Sequence, residues 1–120
     1  MRLRPAALIV AAALACGGPE TVVQIQGTVT AVGSGLPVRG ADVGVEWARG
    51  SGGGAMTLHT DRDGHYAGRR SVHLASVTCN GTVITVRKSG FASAYNAYSD
   101  STCGSGNVLT LDFKLIPIPQ

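Results

Sequence analysis

No apolar run near the start of this 120-residue sequence is long enough to cross a bilayer. Ala6 to Leu14 holds nine apolar residues, whereas a helix needs roughly 20 to span about 30 Å of hydrocarbon. A retained transmembrane helix is therefore not expected. Basic residues do not cluster either: Arg39, Arg49, Arg62, Arg69, Arg70, Arg87, Lys88 and Lys114 are scattered, never more than two together. A nucleic-acid partner, which requires a contiguous basic face, is not expected. Helical periodicity is missing, so helix content should be near nil. Neither GxSxG nor HExxH occurs, which leaves nucleophilic hydrolysis and zinc proteolysis without their usual machinery. Cysteine is scarce, at positions 16, 79 and 103, with no CxxC and no histidines at ligand spacing beside them; no cofactor is expected.

What the N-terminus does carry is an export signal. Arg2 and Arg4 form a short basic region, the apolar run follows, and Ala13-Leu14-Ala15-Cys16 puts a small residue directly before a cysteine, the pattern of a cleaved peptide. The segment resembles the lipobox of bacterial lipoproteins, although Ala13 stands where that family prefers Leu and Leu14 where it prefers a smaller residue. The resemblance implies a diacylglyceryl group on the Cys16 sulfur, cleavage before it and acylation of the new N-terminus. Two or three acyl chains anchor stably where one would be marginal. Gly17 and Gly18 follow without an adjacent Asp, which by the same resemblance implies the outer membrane. The expected location is the bacterial cell envelope, on its extracytoplasmic side, with the membrane as a partner through acyl chains on Cys16.

Removal of residues 1–15 leaves 120 − 15 = 105 residues and takes Arg2 and Arg4 with it, so the net charge falls from +3 to about +1. That length fits one small domain. The expected division is a signal peptide over 1–15, a lipidated tether over 16–21, a domain over 22–117 and a tail over 118–120. With Cys16 lipidated, Cys79 and Cys103 remain as an even pair in an exported chain, and a structural disulfide is the expected outcome. Closing a loop of roughly 25 residues stabilises a fold by about 3 kcal/mol on the chain-entropy account.

Period-two alternation recurs along the remainder. Val23, Ile25, Gly27 and Val29 share one face of Val22 to Ala31, and Ala41, Val43, Val45 and Trp47 share one face of the next segment. Met56 to Thr60, Val72 to Thr78, Thr82 to Lys88 and Val108 to Leu115 are further candidate strands, the last with Leu109, Leu111, Phe113 and Leu115 on one face. Gly- and Asx-rich turns separate them, including Gly33-Ser34-Gly35-Leu36-Pro37, Asp61-Arg62-Asp63-Gly64 and Cys79-Asn80-Gly81. About seven short strands at this spacing predict an all-β sandwich of two sheets.

The order of these signals resembles the carboxypeptidase regulatory-like domain. It is carried by Gly27-Thr28-Val29, Gly35-Leu36-Pro37-Val38-Arg39-Gly40-Ala41-Asp42-Val43, Thr60-Asp61-Arg62-Asp63-Gly64-His65-Tyr66, Val86-Arg87-Lys88-Ser89-Gly90-Phe91 and Leu111-Asp112-Phe113-Lys114-Leu115. The resemblance implies a small Greek-key, prealbumin-like sandwich acting as an accessory or binding module. Between Arg69 and Gly81 this chain is longer than that pattern and contains Cys79.

Candidate chemistry is thin. His59-x-Asp61-x-Asp63-x-His65 alternates ionisable residues across a turn, but a reversal at Asp63-Gly64 is expected to splay them, so no metal site is assigned. The transthyretin-related hydrolases share the implied fold, yet their C-terminal Tyr-Arg-Gly-Ser is missing from Ile116-Pro117-Ile118-Pro119-Gln120. Asn80-Gly81-Thr82 fits a glycosylation sequon and reads as a turn. Trp47 reads as core. Tyr95 and Tyr98 are the candidate binding residues, because aromatics among small polar residues can stack on sugars or anchor a protein. The expectation is a lipid-anchored, noncatalytic module, not an enzyme, that binds or scaffolds protein or glycan, with a small hydrolase or metal-dependent enzyme as the alternative. A tether of five residues, Gly17 to Thr21, would hold the domain within roughly 20 Å of the headgroups and leave Gly33 to Pro37 at the far end.

Overall fold

The computed structural model describes residues 19–119. The signal segment, Cys16, Gly17 and Gly18 lie outside the described residues, as does Gln120. Eight strands make up two sheets: β1 Thr21–Ala31, β2 Asp42–Glu46, β3 Ala55–His59, β4 His65–Val72, β5 Val83–Arg87, β6 Ala94–Ala97, β7 Val108–Thr110 and β8 Phe113–Leu115. Among the described residues, helix is limited to 3-10 turns at Arg49–Ser51 and Ser105–Asn107. The small all-β sandwich expected from the alternation is what forms.

In the first sheet β1 is central. β4 runs antiparallel along one edge, while β7 and then β8 run parallel along the other. The second sheet has the order β3-β2-β5-β6. The alternating apolar residues meet between them: Val23, Ile25 and Val29 from β1, Val43 and Val45 from β2, Ile84 and Val86 from β5, and Leu109, Phe113 and Leu115 from the last two strands are all buried. Trp47 is core, 5% exposed, with the Arg70 guanidinium 5.4 Å from its ring centroid.

The sheets differ from the sequence reading in three places. The expected strand Val72 to Thr78 is not formed; β4 lies earlier. Its inward positions are Tyr66, Gly68, Arg70 and Val72, a face without an apolar rhythm. Gly68 is there because Leu58 fills the space, where a Cβ would come within 2.8 Å of Leu58 Cδ2. β6 was not anticipated, since Ala94 alone among its residues is even half-buried. The expected strand Val108 to Leu115 is broken in two at Leu111-Asp112.

Register places the turns. Asp42 pairs with both His59 and Arg87, and Thr28 pairs with His65. Val38 donates its N–H to Val29 and Gly40 to Thr60. The turns after β1, β3 and β5 therefore gather at the end of the sandwich reached by Ala31, opposite Thr21. At the other end Cys79 and Cys103 are bonded, Cα to Cα 4.9 Å, both buried, as the cysteine arithmetic led one to expect.

Candidate functional site

The break between β7 and β8 creates the most organised surface feature. Leu111 still donates its N–H to Gln26, but its carbonyl turns inward against Gly27. A Cβ on Gly27 would sit 1.7 Å from that oxygen, so only glycine permits the approach. The Tyr66 hydroxyl donates to the same carbonyl at 2.5 Å. Burial, reinforced by the Asp112 carboxylate, raises the Tyr66 hydroxyl far above the ordinary phenol range, so it keeps its proton and serves as a donor. Asp112 replaces the missing rung of the ladder: its Oδ1 accepts the Thr28 N–H at 2.9 Å and the Thr28 hydroxyl at 3.1 Å.

The result is a groove of about 290 Å³ on the outer face of the first sheet. Its floor is low because Gly27 has no side chain and Ala67 only a methyl, while the Tyr66 side chain turns the other way into the core, 3% exposed. Gln26, Thr28, His65, Thr110 and Asp112 stand around it, and Gln26 Nε2 reaches Thr110 Oγ1 at 3.4 Å. An apolar floor with polar groups at its edge is the usual composition of a small-ligand site. Sequence reading did not find this groove. The available signal was a glycine in mid-strand at Gly27, which marks a close backbone approach, but its partner at Leu111 is 84 residues away.

Of the four alternating ionisable residues, three come together. Ligand atoms of Asp61, Asp63 and His65 lie within 4.8 Å of one another, all exposed, so the expected splaying is corrected for these three. The cause is local: Asp61 Oδ1 accepts the N–H groups of Asp63 at 2.9 Å and His65 at 3.0 Å, and Gly64 at φ +78° allows the reversal. The His65 N–H bond is the main reason the Asp61 carboxyl lies below its usual range. His59 turns away to Asp42, Nδ1 to Oδ1 2.9 Å. Turn bonding accounts for the grouping.

Tyr95 and Tyr98 are separated. Tyr95 is 70% exposed on β6, whereas Tyr98 is half-buried against the core and bonds through its backbone to Gly81 and Thr82. Desolvation, then Asp100, raises the Tyr98 hydroxyl. The Asn80-Gly81-Thr82 turn has its threonine fully buried, with Oγ1 accepting the Ala48 N–H at 3.0 Å.

No family model matches the chain, and no curated protein matches it in sequence. Solved structures are similar in fold. Chlorocatechol 1,2-dioxygenase from Pseudomonas putida aligns at a TM-score of 0.60 and 22% identity, over 81% of this chain and 61% of that one. Catechol 1,2-dioxygenase from Acinetobacter radioresistens aligns at a TM-score of 0.58 and 16% identity, over 83% and 53%. This chain thus spans less than two thirds of either. A DUF3823 family protein from Parabacteroides merdae aligns at a TM-score of 0.44 and 16% identity, over 85% and 47%. The expectation of a noncatalytic module that binds or scaffolds protein or glycan, with a hydrolase or metal-dependent enzyme as alternative, is corrected here. The fold that implied it is shared with dioxygenases, so sharing the fold gives no ground for either role.

Proposed function

We propose that the groove over Tyr66 takes a small aromatic diol. One observation carries this reading: a concavity of about 290 Å³ over Gly27 and the Ala67 methyl, with the hydrogen-bonding groups of Gln26, Thr28, Thr110 and Asp112 at its rim. Asp112 Oδ1 is committed to Thr28, which leaves the second carboxylate oxygen to accept one ring hydroxyl. Gln26 and Thr110, opposite one another on adjacent strands, supply acceptors for the other. Two chains that share the fold, a catechol and a chlorocatechol 1,2-dioxygenase, lend the same ligand class support.

The location belongs to the same proposal. Export and attachment through acyl chains on Cys16 are supported by the basic, apolar and small-residue order before it. A buried disulfide supports an oxidising compartment. The motif order supports a carboxypeptidase regulatory-like identity within the sandwich.

Calorimetric titration of the protein with catechol tests the groove. Saturable binding is expected, and Ala67→Trp, which fills the floor from an exposed position, is expected to abolish it while leaving thermal unfolding unchanged. Binding unaffected by Ala67→Trp would overturn the assignment. Oxygen uptake in the same sample decides whether the bound ring is also a substrate.

A further inference from the structure

A second concavity, of about 420 Å³, opens at the end of the sandwich where β2 begins and β5 ends. Arg87, Lys88, Ser89 and Ser93 line it together with Gly40 and Asp42. Its one acid, Asp42, is bonded to His59 at 2.9 Å and stands opposite Arg87 in the strand register. Among the described residues neither Arg87 nor Lys88 has a carboxylate within 4.0 Å. Arg87 and Lys88 outnumber the one carboxylate that lines the cavity, and an anion between the two cations offsets their mutual repulsion.

The surroundings hold these groups in place. Lys88 is half-buried, and its Nζ lies 3.3 Å from where a Cβ on Gly40 would stand. Gly40, at φ +73°, thus gives the ammonium its room. Phe91 donates its N–H to the Lys88 carbonyl at 3.0 Å, closing a tight turn that sets Ser89 beside Lys88. A guanidinium, an ammonium and two hydroxyls offer more donors than a carboxylate's two oxygens need, and they match the terminal oxygens of a phosphoryl group.

From this arrangement we propose that the cavity at Arg87, Lys88, Ser89 and Ser93 is a binding site for a phosphoryl oxyanion, separate from the groove over Tyr66. The chemistry is common to free phosphate and to a phospholipid headgroup, and two experimental arms distinguish them. In the first, inorganic phosphate is titrated into the protein and amide shifts are followed. Saturable movement of Lys88, Ser89 and Ser93 assigns a free oxyanion. In the second, the protein without its lipid is sedimented with phosphatidylglycerol or phosphatidylcholine vesicles, and retention by the anionic vesicles alone assigns the headgroup. In either arm Lys88→Gln is expected to weaken binding about tenfold, whereas Lys114→Gln, outside the cavity, leaves it unchanged. The absence of binding in both arms, or equal losses from Lys88→Gln and Lys114→Gln with native unfolding curves, would overturn the proposal.

Discussion

Tyr66 and Leu111 are tied by a hydroxyl-to-carbonyl hydrogen bond of 2.5 Å that joins β4 to the break between β7 and β8. The bond is partly buried and spans 45 residues of sequence, so it fixes a long-range contact that the ladder itself does not make at this point. Removing the hydroxyl in Tyr66→Phe leaves a carbonyl short of its donor, which costs about 1 to 2 kcal/mol. Gly27→Ala is the harsher change, because its Cβ would overlap backbone and not a flexible side chain; about 3 kcal/mol is expected. Denaturant unfolding measures both, and a Gly27→Ala protein as stable as the parent would contradict the joint.

Reduction of Cys79–Cys103 removes a cross-link between residues 24 apart in sequence. A loss of about 3 kcal/mol is expected, seen as a lower unfolding midpoint with reductant than without. Two titratable thiols in the native, unreduced protein would contradict the bond.

The pH dependence has a defined sign at Asp61. Its carboxyl lies below the usual range when folded, so ionised Asp61 stabilises the fold above the ordinary carboxylate pKa, roughly 3.9, and that share is lost as pH falls through the folded value. Asp61→Asn is expected to flatten the acid limb of the stability curve slightly, the group being fully exposed. Identical acid limbs for the two proteins would show that the turn bonds contribute nothing.

The location is tested by fractionation. Cells carrying the parent are expected to hold the protein in the detergent phase with a diacylglyceryl mass on Cys16, and Cys16→Ser is expected to release it or leave the precursor uncut. Partition unchanged by Cys16→Ser would defeat the lipid anchor.

Legibility in the sequence followed the range of the interaction. Strands such as β1, β2 and β5 announce themselves, because Val23, Ile25, Val43, Val45, Ile84 and Val86 alternate toward one core. Glycine turns were equally plain. β4 was not, because its inward face is built from Tyr66, Gly68, Arg70 and Val72, whose burial depends on Leu58 and Trp47 arriving from the other sheet. Asp112 shows the same limit. In sequence it is one outward residue of an alternating strand, whereas in the structure it caps Thr28 from 84 residues away and forms one side of the groove.

The groove is the central claim, and an amide-resolved titration with catechol tests it most directly. Shifts are expected at Gln26, Thr28, His65, Ala67 and Thr110, reaching saturation together and disappearing in Ala67→Trp. Shifts confined to the face around Tyr95, or none at ligand concentrations well above those that saturate a small-molecule site, would contradict it.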